Sequence, residues 1–253
     1  SELHTIPAHF RLSEKGKLAR VIDCDLFLAL AKNCLKHLRS YSEYFRLMET
    51  ARCYFVPVNG KELGGFHSAK SIGHRYFPHI SISALMNPSL VPNRQLRTCD
   101  AVRCYLHDSI HADTYRTFRV VPPYHRGEFP IYREQYGINF RRYDGLSYSD
   151  RALTKLSPEA INLNTLMDGL NTLLVSRAIT RAINHMDFTG LTHLENAILQ
   201  ELTGEAFDKH DYPQPLEYWR EVREPARIFL EKWGGEEFER LIFQAMMTGR
   251  LAR

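Results

Sequence analysis

The sequence predicts a mostly α, single-domain helical bundle over residues 1–253, with at most a small β-hairpin. Apolar residues recur at helical spacing over several long segments, and helix-start and helix-stop signals bound them. The sequence does not show the alternation of strands and long helices that builds a parallel sheet. With 44% hydrophobic and 25% charged residues, a chain of this length can bury a substantial core.

The first half of the chain combines one strong helix signal with weaker ones. Residues 25–50 are predicted to be an amphipathic helix. Its apolar residues at helical spacing are Leu26, Leu30, Cys34, Leu38, Tyr41 and Phe45. Residues 53–58 are strand-like and Asn59-Gly60 follows as a turn signal, which predicts the small hairpin. A short helix is a candidate over 80–86, and a long helix is predicted over 98–118.

The second half is predicted to be helical after one irregular stretch. Residues 119–150 are rich in Arg, Tyr, Pro and Gly, and we expect them to form an irregular basic-aromatic loop. Ser157-Pro158 is a helix start, so a helix is expected over 158–185. Three further helices are predicted, the first of which begins with a capping box of Thr192 and Glu195. Their ranges are 192–203, 216–233 and 236–248.

Composition narrows the class of function. The formal net charge of +4 permits an anionic substrate or partner without demanding one. The five cysteines are an odd number and include no CxxC pair, which argues against a disulfide scaffold and a zinc ribbon. No segment is apolar for long enough to span a bilayer, and the N-terminal residues contain no signal-peptide core. We therefore expect a cytoplasmic protein with reduced thiols and no membrane span.

The main chemical signal is His107-Asp108-Ser109-Ile110-His111. Residues four apart share a helix face, so His107 and His111 can chelate one ion, and Asp108 lies beside them. Imidazole suits Zn or Fe, and a carboxylate widens the choice to Mn and Mg, so a divalent metal ion of open identity is predicted. The alternative interpretation is an ordinary helix face that carries two histidines.

Two ligands hold a divalent ion poorly, so a further ligand from another element is expected. The ranked candidates are His79, His74, Asp168 and Glu128. The predicted metal ligands are His107, Asp108, His111, His79 and Asp168.

The segment Leu106-His107-Asp108-x-x-His111 resembles the His-Asp doublet of the HD-domain metal-dependent phosphohydrolases. The resemblance covers about fifteen residues. It implies a helical bundle that holds metal with an upstream His, the doublet and a later Asp. The upstream candidates are His67, His74 and His79, and the later ones are Asp168 and Asp187. The chain departs from that family at Ile110, where Gly is frequent.

Two further families are similar at the same motif. His-x-x-x-His on a helix is similar to the zincin metallopeptidase motif, which requires Glu where this chain has the shorter Asp108. Glu195 does not supply the third ligand, because the capping box explains it. A His-Asp-x-x-His helix with a downstream Glu also resembles the helical ubiquinone-biosynthesis proteins. The first downstream candidates are Glu128 and Glu134.

The basic-aromatic loop can contribute phosphate ligands. Arginines bind phosphate bidentately and aromatic rings stack on bases, so the loop is a candidate nucleotide lid over the metal. Arg119 and Arg126, with Arg116 before them, are predicted to neutralise charge that develops during the reaction. If the loop is a lid, Arg119, Arg126 and Arg133 should point toward the His107 helix. The alternative is that arginine stems pack over the end of the bundle.

Two functions from different classes follow. The first is a metal-dependent hydrolase of a phosphorylated or nucleotide substrate, with Asp108, Arg119 and Arg126 as catalytic residues. The partner would be an anionic or phosphorylated small molecule, a nucleotide among the candidates. The second is a non-enzymatic binding module for nucleic acid or a protein partner. The metal content of the purified protein discriminates between them.

Overall fold

A computed structural model describes residues 20–48, 53–55, 64–72, 75–83, 88–120, 131–140, 163–205 and 215–250. Six helices and six strands lie in these ranges, and the mostly α fold class is confirmed. The helices are α1 (Cys24–Arg39), α2 (Arg94–Asp113), α3 (Leu163–Ile183), α4 (His193–Thr203), α5 (Pro215–Trp233) and α6 (Gly235–Thr248). The strands are β1 (Cys53–Phe55), β2 (Gly64–Ile72), β3 (Arg75–Ser83), β4 (Arg116–Val120), β5 (Ile131–Tyr136) and β6 (Asn139–Phe140).

These elements fall into two compact units. The first contains α1 up to Leu38, the sheet of β1 to β3, α2 up to Ala112, the second half of α3, α4 and the start of α5 up to Trp219. The second contains the sheet of β4 to β6, the first half of α3, α5 from Arg220 onward, and α6. Helix α3 passes from the second unit into the first after Leu173. The single domain expected over 1–253 stays a prediction.

The sheet of the first unit has the order β1-β3-β2. Strands β2 and β3 are antiparallel, and Ile72 pairs with Arg75 across a two-residue connection. Strand β1 pairs with β3 in parallel, so residues 53–55 are not part of the hairpin expected there. The candidate helix over 80–86 is wrong for residues 80–83, which belong to β3. The reason is the alternation Ile-Ser-Ile-Ser, which has the period of a strand.

The sheet of the second unit is antiparallel with the order β4-β5-β6. It corrects two expectations: α2 ends at Asp113, and parts of the stretch 119–150 are strands. Strand β4 contains the β-branched and aromatic residues that favour extended backbone. Gly137 connects β5 to β6 with a φ of 55°, a conformation that glycine adopts without strain.

Helix boundaries follow local signals closely where caps exist. The capping box of Thr192 and Glu195 is confirmed, and Gly204 ends α4 in the left-handed conformation. Helix α1 ends at Arg39, earlier than expected. The helical spacing misleads there because Tyr41 and Phe45 lie in a turn, where both rings contact Phe243 of α6 edge-on. Among the helices of the described ranges, none has the length and apolar character needed to cross a membrane.

Candidate metal centre

Helix α2 is buried on every side. Fifteen consecutive residues, Leu96 to Ile110, are shielded from solvent. The buried ionisable side chains among them include Arg97, Asp100, Arg103, His107 and Asp108. A helix at a protein surface buries only one apolar face, and removing charged groups from water is costly. Polar groups gathered in the interior at this cost are typical of functional sites.

The buried arginines of α2 are stabilised by hydrogen bonds to nearby backbone carbonyls and by an ion pair within the helix. Arg97 donates to the backbone carbonyls of Val21 and Pro92, at 2.8 Å in both cases. Arg103 donates from Nε and Nη2 to one carboxylate oxygen of Asp100, at 2.8 and 2.6 Å. Burial alone would lower the pKa of Arg103, but the charge of Asp100 and its hydrogen bonds raise it above the ordinary value. The arginine therefore stays charged.

Helical spacing arranges the polar residues of α2 in two adjacent rows. The first row is Asp100, Cys104 and Asp108, and the second is Arg103, His107 and His111. Burial raises the pKa of the Cys104 thiol well above its usual range, and Asp100 and Asp108 raise it further against the opposing effect of Arg103. Cys104 is therefore a protonated thiol and a poor nucleophile. The second row carries the two imidazoles that could ligate a metal ion.

The imidazoles of His107 and His111 face each other through their Nε2 atoms, which lie 2.9 Å apart. His107 is buried and His111 is half-buried. Two nitrogens about 2.1 Å from one ion lie about 3.0 Å apart at a right angle and about 3.4 Å apart at the tetrahedral angle. The observed separation allows both nitrogens to bind one ion, and it is also the length of an N–H···N hydrogen bond. Without an ion, the pair needs one Nε2 protonated and the other not.

A carboxylate from α3 completes the group. One ligand atom from each of His107, His111 and Asp168 lies within 4.8 Å of the other two, so the three can hold a metal ion. The group contains Asp168 rather than Asp108. Two histidines and one carboxylate are a donor set that iron and zinc accept, with positions left for water or substrate.

Close packing fixes the position of Asp168. A Cβ atom at the next residue, Gly169, would lie 2.3 Å from the Cβ of Ala226 on α5, so only glycine allows this approach. A Cβ atom at Gly137 would lie 2.6 Å from the Sδ of Met167, on the other side of Asp168 in the sequence. The turn between β5 and β6 and helix α5 therefore both contact α3, at the residues on either side of Asp168 in the sequence.

The other predicted metal ligands lie on several elements, and the side chains of some are outside the described residues. The backbone of His79 pairs with Ser68 in the first sheet, and its side chain is outside the described residues, as are His74, Glu128 and Arg126. His67 lies in β2, also without a described side chain. Asp187 is exposed and accepts a hydrogen bond from the backbone of Thr189, which accounts for it as a turn residue. Asp108 is buried on the row next to the histidines.

The arginines of the basic-aromatic segment divide into two kinds. Arg119 is 61% exposed and forms an ion pair with Glu134 at the surface, so its catalytic role stays a prediction. Arg133 and Arg116 instead lie over the ring of Tyr136. Sequence reasoning did not connect these three residues, since it placed Arg116 in the helix expected over 98–118 and the other two in an irregular loop. The β-branched and aromatic residues Thr117, Phe118 and Val120 are the signal that could have revealed the strand.

Comparison of the chain with known protein families, characterised proteins and solved structures finds no match.

Proposed function

We propose that this protein is a metal-dependent hydrolase of a phosphorylated substrate, related in its site to the HD-domain phosphohydrolases. His107, His111 and Asp168 would hold the ion. The observation that carries the proposal is that one ligand atom from each of these three residues lies within 4.8 Å of the other two. Two of the residues belong to a helix whose polar residues are buried. A histidine pair on a helix is common by chance. A carboxylate brought to it by packing from a second helix is a stronger signal.

The donor set favours a borderline ion over a hard one. Imidazole nitrogen suits Fe²⁺ and Zn²⁺, and the carboxylate also allows Mn²⁺, whereas Mg²⁺ prefers a shell of oxygen ligands. We therefore rank Fe²⁺, Zn²⁺ and Mn²⁺ above Mg²⁺. Held by three protein ligands, such an ion would keep positions for water and for a substrate oxygen.

The chemistry follows from those remaining positions. A divalent ion held by His107, His111 and Asp168 would lower the pKa of a water and polarise a phosphoryl oxygen. The reaction would consume one water: its oxygen bonds to phosphorus, the bond from phosphorus to the leaving oxygen breaks, and the leaving oxygen takes up a proton. Asp108, buried one row from the histidines, is the residue we assign to hold or accept the water proton.

Metal content tests the proposal. The purified protein is loaded with Mn²⁺, Fe²⁺ or Zn²⁺, dialysed, and analysed for bound metal. We expect about one ion per chain, and a loss of at least about 10-fold in affinity for the H107A/H111A double variant and for Asp168→Asn. His185→Ala removes an exposed histidine and is the matched control. Affinity should also fall at acidic pH, because protons compete for the imidazole nitrogens.

The activity arm uses phosphate release from a panel of nucleotides and sugar phosphates. Loss of release in Asp168→Asn, with release retained in the His185 control, supports the proposal. A wild-type protein that holds no metal under these conditions would refute it and favour the binding module. Because the same donor set serves iron oxygenases, the Fe²⁺ assay is repeated without O₂. Release that requires O₂ would contradict hydrolysis.

A further inference from the structure

An open groove lies between helix α6 and the turn that follows α1. Its volume is about 390 Å³, within the range of pockets that hold small molecules. Among the described residues, those that line it are Tyr44, Leu241, Gln244, Thr248 and Arg250. All five belong to the second compact unit. None of them is a member of the candidate metal group, so the groove is a separate feature of the molecule.

One face of α6 forms the floor of the groove. Leu241, Gln244 and Thr248 are three and four residues apart, so they share that face. Leu241 is 37% exposed and Gln244 is also exposed, whereas Ile242 and Phe243 between them are buried in the core. The floor therefore offers an aliphatic surface beside an exposed carboxamide.

Tyr44 forms one wall of the groove and is held in place by the residues around it. Phe45 is fully buried, and its ring contacts Phe243 edge-on. The backbone N–H of Phe45 donates to the carbonyl of Ser42 at 3.2 Å, which closes the turn. Tyr44 itself is 54% exposed, so this anchored turn presents its ring to solvent. An exposed ring on a fixed backbone is a surface on which flat apolar groups pack.

The backbone that carries Arg250 is also anchored. The carbonyl of Gly249 accepts from Nε2 of Gln135 at 3.1 Å. A Cβ atom at Gly249 would lie 2.1 Å from Cδ1 of Tyr115, so the tyrosine ring packs directly against this glycine. The backbone N–H of Arg250 donates to Oγ1 of Thr248 at 3.3 Å. The arginine side chain therefore extends from a fixed point at the end of the groove.

The groove offers one positive charge to a ligand. Arg250 is exposed, and within the described residues its guanidinium forms no ion pair. The end of a helix where carbonyls point outward opposes an anion unless donors satisfy them. Here the carbonyl of Gln244 accepts from the Thr248 hydroxyl at 2.9 Å, and that of Ala245 accepts from the N–H of Gly249 at 2.8 Å. An anionic group is therefore favoured at Arg250.

We propose that this groove binds a small monocarboxylate with a flat apolar body. A carboxylate matches the planar fork of one guanidinium, and its single charge is balanced by Arg250 alone. A phosphate dianion would keep one charge without a partner there. The flat body would pack against the Tyr44 ring and Leu241, beside the carboxamide of Gln244. The site goes beyond the proposed hydrolase and does not depend on it.

Benzoate is the probe, because it is a flat monocarboxylate of the required size. Its binding to the full chain is measured by saturation-transfer difference NMR at low salt, with benzamide as the uncharged ligand of the same shape. A ligand this small binds an open groove weakly, with a Kd of roughly 1–10 mM. We expect benzamide to bind at least about 5-fold more weakly than benzoate, because the charge-assisted pair with Arg250 is lost.

Three variants test whether benzoate binds in this groove. Arg250→Gln should weaken benzoate binding about 3- to 10-fold. Tyr44→Ala should weaken it by about 3-fold or more, because the ring contact is removed. Arg240→Gln is the matched control, since it removes a cation from the same helix at a position that is paired with Glu236 and does not line the groove. It should change the affinity by less than about 2-fold.

Several results would overturn the site. They are no benzoate signal in the wild type at about 20 mM, above the expected Kd, equal binding of benzamide, and equal losses in the Arg240 control. Displacement of benzoate by an equal concentration of inorganic phosphate would contradict the preference for a monocarboxylate. Circular dichroism checks that each variant folds. The comparison of benzoate with benzamide uses the wild type alone, so it decides the charge requirement even if a variant fails to fold.

Discussion

Helices α2 and α5 each hold an arginine against a carboxylate three residues earlier, but in opposite surroundings. The distance from Nη2 to the carboxylate oxygen is 2.6 Å in both pairs. In α2 the side chains of Arg103 and Asp100 are 5% and 3% exposed. In α5 the side chains of Arg227 and Glu224 are 40% and 46% exposed. The same Nη2 distance therefore accompanies very different desolvation, and we expect burial to decide what each pair contributes.

The largest effect is expected from breaking the buried pair. Arg103→Met leaves the Asp100 carboxylate in the interior without its partner, so the free energy of unfolding should fall by about 3–5 kcal/mol. Replacing both residues, in the variant D100L/R103M, should cost less than the single change, because no uncompensated charge remains. Urea denaturation of the purified proteins measures both. A single variant within about 1 kcal/mol of wild type would contradict the role of burial.

An intermediate loss of unfolding free energy is expected at Glu195, a buried carboxylate that is stabilised mainly by backbone N–H groups rather than by an arginine. Glu195 accepts from the backbone N–H of Thr192 at 2.9 Å and of Asn93 at 2.6 Å. Burial alone would raise the pKa of Glu195, but these bonds, a hydrogen bond with the Thr192 side chain and the charge of Arg97 lower it below the ordinary value. A carboxyl group with a lowered folded-state pKa stabilises the protein above its unfolded pKa, and that stability is lost as pH falls.

Glu195→Gln should therefore cost about 0.5–2 kcal/mol at neutral pH, the range for loss of a cap. The difference in unfolding free energy from wild type should shrink as pH falls below about 4.3, because the unfolded carboxyl takes up a proton there while the folded carboxyl is still ionised. Unfolding curves from pH 7 to pH 3 measure this trend. Glu205→Gln, at an exposed position after α4, is the control for the loss of one carboxylate. A difference that stays constant with pH would argue against the carboxylate.

The smallest effect is expected at the surface of α5. Arg227 contacts Glu224 and Glu231, at 2.6 and 2.7 Å. Arg227→Ala should cost less than about 1 kcal/mol, because exposed pairs gain little over hydrated side chains. The loss should shrink further in 1 M salt, whereas the cost of Arg103→Met should persist. Equal losses for the two arginines would remove the distinction between the helices.

Local signals predicted the helices well. The capping box at Thr192 and Glu195 acts within one turn, and the spacing in α1 reflects a face that is buried from Phe27 to Leu38. The shared helix face of His107 and His111 was predicted in the same way, because the two residues are one turn apart. Such features depend on residues close in sequence, so the sequence alone contains the required information.

Features that depend on distant partners were harder to predict. Asp168 was ranked below His79 and His74, because nothing in its local sequence indicates which residues it meets in space. Its placement depends on the close approach of Gly169 to α5 and of Gly137 to Met167. The positions of Arg116, Arg133 and Tyr136 depend on the pairing of β4 with β5, in a segment whose composition is typical of a loop. The sequence shows the charge and type of each residue but not which residues it contacts.

Thr117 pairs with Gln135 and Phe118 pairs with Arg133, so Glu134 is an extra residue in β5, and it makes the face of Arg133 depend on the number of residues as well as on their identity. Losing one codon in a surface loop usually leaves the flanking strands unchanged. Losing Glu134 would leave Arg133 two residues from Tyr136, and a regular ladder would then keep both side chains on one face. Related chains can therefore be sorted by this spacing: an arginine three residues before the tyrosine needs the extra unpaired residue to reach the ring, whereas one two residues before it reaches the ring in a regular strand.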